Sequence, residues 1–244
     1  MTAAHAVAAR PVKAKSGRRW LKWIILGPLL ALLLLQAYFF LQICWWSYFN
    51  PSSTSMMRQQ LAALRETKPN ARLEQQWVPY NRISNNLKRA VIASEDANFT
   101  DHAGVDWDAL EKAYERNNRR HKVVGGGSTI TQQLAKNLFL SGYRSYVRKG
   151  QELIITYMLE AVLSKERILE VYLNVVEFGR GVFGAEAAAR HYFRTSAANL
   201  TPAQAARLAV MLPNPRYYDT HRQTNYLARR TAVILHRMNF ADLP

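Results

Sequence analysis

Two carboxylates stand where they could do chemistry. Glu95 lies in the stretch Ser94-Glu-Asp-Ala-Asn-Phe-Thr-Asp-His-Ala-Gly104, directly after the helically spaced Leu87-Lys-Arg-Ala-Val-Ile-Ala93. Ser84 is a candidate N-cap for that segment, and the spacing predicts a helix running out near Glu95 with a loop beyond it. A carboxylate at a helix C-terminus faces the negative end of the dipole, which disfavours its charged form. Partial burial would push its pKa up further, into the range useful for proton transfer. Glu95 is therefore a candidate general base. A solvated Glu95–Asp96 pair ending a surface helix satisfies the same stretch and, on this stretch alone, is the commoner arrangement.

Glu152 is the second carboxylate. Arg144, Arg148 and Glu152 are spaced four apart, so a helix through them places all three on one face. Ile154, Ile155, Met158 and Val162 are expected mostly on its buried side. The face reads either as an exposed ion-pair ladder, worth about 0.3–0.5 kcal/mol per pair, or as a carboxylate held beside two guanidinium groups, ready for an oxyanion or a metal. Spacing alone does not choose.

Between the two carboxylates, Gly125-Gly-Gly127 precedes Thr129-Ile-Thr-Gln132, a capping box that opens a helix to about Leu140. Ile130, Leu134 and Leu138 form its buried stripe, and Gln132, Gln133, Lys136 and Asn137 point elsewhere. A glycine run before a helix N-terminus could cradle a phosphate. It lacks the Gly-Lys-Ser/Thr ending of a nucleotide P-loop, which argues against a nucleotide site. The polar, basic run into these glycines, residues 117–127, is expected to be a mobile flap over a cleft. The six histidines lack metal-site spacing, and His102 and His191 are as readily structural.

The elements that must position these residues are helices. Arg58 to Glu66, Trp107 to Arg116, Lys165 to Leu173 (stopping at Asn174), Ala185 to Phe193, a helix starting at Thr201-Pro202-Ala-Gln204 and a basic one over Arg222 to His236 complete the set. Asn50 to Met57 reads as polar linker, 68–80 as extended or irregular chain, and Glu177 to Gly184 as a glycine-punctuated loop. No stretch alternates convincingly as a strand. At the N-terminus, residues 1–22 form a basic tail. Trp23 to Trp46 is nearly all apolar and would rise about 36 Å as a helix, enough to cross a bilayer. Trp20 and Trp23 mark one interface, and Trp45, Trp46 and Tyr48 the other. The run is too long for a signal peptide and no small-x-small site follows it. Residues 47–80 are expected to link this span to a domain over 81–244.

Hydrophobic content of 49% with 20% charged residues describes a folded chain, and 244 residues suit one domain plus an appendage. The formal charge is +16, and six basic residues precede the span unopposed; the remainder carries 27 basic against 17 acidic residues. That excess points to a polyanionic partner: nucleic acid, an anionic membrane or a phosphate-bearing substrate. Basic residues before the span place the N-terminus in the cytoplasm and the domain outside, so nucleic acid is not expected as a partner. The lone Cys44 excludes an internal disulfide and a cysteine-based metal site.

Five segments, in order, resemble the peptidoglycan glycosyltransferases of family 51, in the single-domain, membrane-anchored form. They are Glu95 to Gly104, Gly126-Gly-Ser-Thr-Ile-Thr-Gln-Gln-Leu-Ala-Lys-Asn137 and Arg148-Lys-Gly-Gln-Glu152, then Lys165-Glu-Arg-Ile-Leu-Glu-Val-Tyr-Leu-Asn174 with Gly179 to Phe193, and Leu200 to Pro215. They cover most of residues 80–216, and no transpeptidase segment follows before Pro244. The resemblance implies a mainly α, lysozyme-like fold and polymerisation of lipid II in the bacterial cytoplasmic membrane, with the catalytic domain in the periplasm. It implies Glu95 as the base toward the acceptor 4-hydroxyl and Glu152 as an aid on the donor side. Ser128, Gln132, Gln133, Lys136, Asn137, Arg144 and Arg148 would hold the sugars and diphosphate, and Asp96, Phe99 and His102 would shape the first segment. No cofactor is obligatory, although a divalent cation, magnesium or manganese, could serve at the donor pyrophosphate. Related enzymes can associate with cell-division or cell-wall synthesis proteins, but no segment here identifies such a contact. The runner-up is a membrane-anchored lytic enzyme of related fold using Glu95 as an acid; a non-catalytic wall-binding scaffold is the third reading. The cationic cluster argues against the lytic one, because a neutral glycosidic leaving group requires no phosphate clamp.

Overall fold

The computed structural model describes residues 17–119, 127–143 and 145–244. The chain falls into two compact units, Met1–Leu41 and Gln42–Pro244. The first is built from helix α1 (Gly17–Trp46), whose last turn belongs to the second unit. Its stretch Trp23–Trp46 has a mean hydropathy of 2.3 and is, among the described residues, the one helix long and apolar enough to cross a membrane. Trp23, Ile25, Leu30 and Leu34 on it are all exposed.

The second unit is mainly helical and begins well before the expected boundary at residue 81. Ile43 is fully buried, and Arg167 donates to the carbonyls of Trp46 and Phe49 and to Asn50 Oδ1. The expected linker after the span is short, because α2 (Ser55–Thr67) starts from the buried cap Thr54. Helix α3 (Asn85–Glu95) starts from Ser84, whose hydroxyl accepts from Asn86 N, and ends at Glu95 as the spacing predicts. Helix α4 (Trp107–Arg119) continues past Arg116, since the polar residues that follow contain no breaker.

Helix α5 (Ile130–Phe139) carries the complete Thr129/Gln132 capping box, and Ile130, Leu134 and Leu138 are buried as expected. Helix α6 (Tyr146–Val162) starts from Ser145, so the four-residue ladder on it holds Arg148 and Glu152 only; Arg144 lies outside the described residues. Its buried face is Glu152, Ile155, Thr156 and Leu159, an i, i+3, i+4, i+7 stripe that leaves Ile154 exposed, against expectation. Helix α7 (Lys165–Val175) runs through Asn174 instead of stopping there. The Asn174 side chain is fully buried, exchanges hydrogen bonds with Val78 N and O, and donates back to Glu170 O. Those partners outweigh the usual preference of asparagine for helix ends.

Helices α8 (Ala185–Phe193), α9 (Pro202–Met211, with a second capping box at Thr201/Gln204), α10 (Pro215–Thr220) and α11 (Asn225–Arg237) complete the set. Three short strands were not expected: β1 (Glu74–Gln75), β2 (Glu177–Gly179) and β3 (Val182–Phe183). They form a sheet in the order β1-β3-β2, with β3 parallel to β1 and antiparallel to β2. At two or three residues each they are too short to show alternation. The polar clasp at one end of this sheet centres on Asp219, which accepts from His191, Tyr192, Arg222 and Arg180 N. His191 is thus structural.

Helix α3 packs on α9 and α11, and α5 packs on α2, α6 and α7. Leu87, Ile92, Phe99, Ile130, Leu134, Ile155, Leu159 and Ile168 are fully buried where these helices meet. Each such side chain contributes about 1.5–3 kcal/mol by leaving water. This packing brings the C-terminus of α3, one face of α5 and the middle of α7 to a common point.

Candidate active site

That point is Glu95. The residue as a whole is half-buried, and α5 and α7 reach it through two side chains. Gln133 Nε2 donates to Glu95 Oε2 at 2.9 Å, and the Tyr172 hydroxyl donates to Gln133 Oε1 at 2.9 Å. Ser94 Oγ lies 3.3 Å from the other carboxylate oxygen. Burial of the carboxyl pushes its pKa above the ordinary glutamate range. The bonds from Gln133 and Ser94 pull the other way, neighbouring Asp96 adds to the rise, and Arg230 of α11 opposes it. A carboxyl so placed is a candidate for proton transfer.

The rest of the first segment builds the loop behind Glu95. Asp96 is buried; its Oδ1 lies 2.8 Å from His102 Nε2 and its Oδ2 accepts from Ile130 N at 2.9 Å. Gly104 N donates to His102 Nδ1, which leaves the ring proton on Nε2, facing Asp96. Gly104 also accepts from the Thr129 hydroxyl at 2.6 Å, so the loop is tied to the α5 cap at two places. Phe99 is fully buried beneath Lys165, whose ammonium sits 4.6 Å above the ring. Asp96, His102 and Asp106 bring their donor atoms within 4.8 Å of one another, close enough to suggest a cation. Both oxygens of each carboxylate and both ring nitrogens are already engaged by protein partners, so the cluster is a structural knot.

A second constellation occupies the start of α6. Glu152 is almost fully buried; Arg148 donates to it at 2.6 Å, and Lys149 donates to its other oxygen. The Arg148 Nε is buried and has no hydrogen-bond partner among the described residues. A buried guanidinium N–H without a partner is costly unless something accepts from it, and an anionic oxygen is the fitting acceptor.

The remaining expected residues lie on or beside α5. Ser128 is half-buried just ahead of the cap, Lys136 is half-buried, and Asn137 is buried. Gln132 is buried, with its carboxamide oxygen accepting from Thr129 N in the capping box. The expected flap lies largely outside the described residues, since 120–126 are among those not described.

The packing also supplies groups not singled out from sequence: Tyr172, Lys149, Arg230 and Ser94. Tyr172 falls in the apolar stripe of α7 and reads there as core. Its membership in the segment Lys165 to Asn174 was the available signal.

Residues 58–239 match the family model described as Transglycosylase. Over 227 residues the chain is 70% identical to a protein of Herminiimonas arsenicoxydans named "Biosynthetic peptidoglycan transglycosylase", covering 93% of this chain and 98% of that protein. Proteins of the same name from Bordetella pertussis and Methylobacillus flagellatus are 61% and 58% identical, over 91% and 89% of this chain and 93% and 96% of theirs. A shared anchor for Glu95, a cationic cluster around Glu152 and matches of this extent lead to one conclusion: the chain belongs to the transglycosylase family, with its helical, lysozyme-like fold.

Proposed function

We propose that the chain is a peptidoglycan glycosyltransferase of cell-wall synthesis, polymerising lipid II into glycan strands. Its relatives' names support the reaction class. The observation that carries the mechanism is the pairing of two unlike sites, a carboxyl with a raised pKa at Glu95 and the Arg148–Lys149–Glu152 cluster with its unpartnered guanidinium N–H. In this reading Glu95 takes the proton of the acceptor lipid II 4-hydroxyl as that oxygen attacks the donor's anomeric carbon. The bond from that carbon to the pyrophosphate oxygen breaks, the undecaprenyl diphosphate leaves with the electron pair, and the configuration inverts.

Pyrophosphate requires charge stabilisation more than protonation on leaving. Arg148 and Lys149 supply it, oriented by Glu152, and Lys136 adds a third positive charge from α5. A divalent cation bound through the phosphate oxygens would add to this charge, not create it. The apolar helix Trp23–Trp46 would anchor the enzyme as a single span, with the basic N-terminus in the cytoplasm and the catalytic unit in the periplasm, where lipid-linked substrates arrive.

The test is to supply the full chain with lipid II or with finished peptidoglycan, each with and without EDTA. The expected product is muramidase-sensitive polymer from lipid II, persisting in EDTA, with finished glycan left intact. Fragments released from finished glycan and no polymer would overturn the reading in favour of a lytic enzyme.

A further inference from the structure

Tyr172 is completely buried on α7, and its hydroxyl bonds to Gln133 and to no other described residue. Gln133 in turn bonds to Glu95. A carboxamide has one accepting and one donating end, so its orientation matters at both contacts. With the NH2 toward Glu95, Gln133 donates to an ionised carboxylate and accepts from the tyrosine O–H, and every group is satisfied. With the amide reversed, its oxygen would face a carboxylate oxygen, acceptor against acceptor, unless Glu95 carried a proton. The tyrosine hydroxyl would then receive a bond from the NH2 while its own proton found no acceptor in the core, which disfavours the reversed form.

We propose that Tyr172 is a positioning residue for the base: its buried hydroxyl, by donating to Gln133 Oε1, locks the carboxamide with its NH2 toward Glu95 and so favours the ionised carboxylate. The inference rests on Glu95 being the base. The other groups facing that carboxylate do not duplicate this role. Ser94 reaches the opposite oxygen, Asp96 is committed to His102 and Ile130 N and opposes ionisation, and Arg230 of α11 acts through its charge alone. The Tyr172 hydroxyl itself stays protonated, because burial pushes its pKa well above the ordinary tyrosine value. It is thus a permanent donor across the working pH range.

The test is the pH dependence of kcat/KM for lipid II polymerisation by the full chain. Tyr172→Phe keeps the ring and removes only the hydroxyl; Gln133→Met removes the amide donor at similar volume. A hydrogen bond to a charged group is worth enough to move a pKa by about one unit. Tyr172→Phe should therefore move the acid limb upward by about one pH unit, costing about tenfold below the limb and much less on the plateau. Gln133→Met should move it in the same direction, and adding Tyr172→Phe to Gln133→Met should move it no further. An unmoved acid limb in folded Tyr172→Phe overturns the proposal, as does a fully additive double variant. Glu95→Gln separates the two levels. If it keeps the wild-type profile, Glu95 is not the base. If it is inactive while Tyr172→Phe leaves the limb in place, only the positioning role fails.

Discussion

Glu95 is held in a place that suits its chemistry better than the fold. Burial raises its folded pKa above the unfolded value of about 4.5. The native state therefore binds the proton more tightly than the unfolded chain, and stability falls as pH rises through this interval. Glu95→Gln removes the ionisable group while keeping an acceptor for Gln133. Calorimetry should show the variant melting above wild type at pH 7.5, with the gain vanishing as pH falls below about 4.5. A variant melting below wild type at pH 7.5 would mean that the ionised carboxylate is better compensated than the geometry indicates. The Arg148 cluster makes a separate prediction. Arg148→Ala should lower kcat/KM by about 10–100-fold through loss of charge-assisted bonds, and Arg148→Lys should not restore it, because an ammonium lacks the Nε–H. Full activity of the lysine variant would show that charge alone suffices. At this scale Glu95, Glu152 and Arg148 were visible in the sequence as candidates, since spacing left each open to a bland reading and only the resemblance of their segments to a family singled them out. Tyr172 was not, since a buried tyrosine in an apolar stripe gives no sign of where its hydroxyl points.

At the scale of elements, capping chemistry did most to make the helices readable: Ser84, Thr129 and Thr201 each cap the helix expected of them. What local signals missed was decided by distant partners. Asn174 stays helical because Val78 satisfies its amide, and Ile154 faces outward because the inner stripe includes the polar Glu152. The small sheet was illegible for the same reason, since β1 and β3 are brought together only by the fold. Gly184 shows how tightly that sheet is coupled to α7. Its φ is +83°, and a Cβ there would lie 2.6 Å from Asn174 O. Gly184→Ala should destabilise the catalytic unit by about 1–3 kcal/mol, measured by denaturant titration. A change within about 0.3 kcal/mol would mean that the hairpin shifts freely relative to α7.

At the scale of the molecule, the border between the two compact units falls after residue 41 and not at the end of α1. Composition offered the apolar stretch but not the border, because no charged residue marks it. Ile43 is core, and the Trp46 carbonyl is held by Arg167. Deleting residues 1–41 should leave the melting temperature within about 2 °C of wild type while abolishing membrane fractionation, whereas deleting residues 1–50 should lower it by about 4 °C or more. Equal melting temperatures for the two truncations would show that the last turn of α1 contributes nothing to the core.

In the proposed reaction Glu95 moves the acceptor proton while the fold holds it in place. The most direct measurement is the rate of lipid II polymerisation by Glu95→Gln, made on protein whose melting curve shows it folded. A loss of about 10²–10⁴-fold is expected, the usual contribution of a positioned general base. Activity within about tenfold of wild type would rule Glu95 out and send the search for the base elsewhere in the domain.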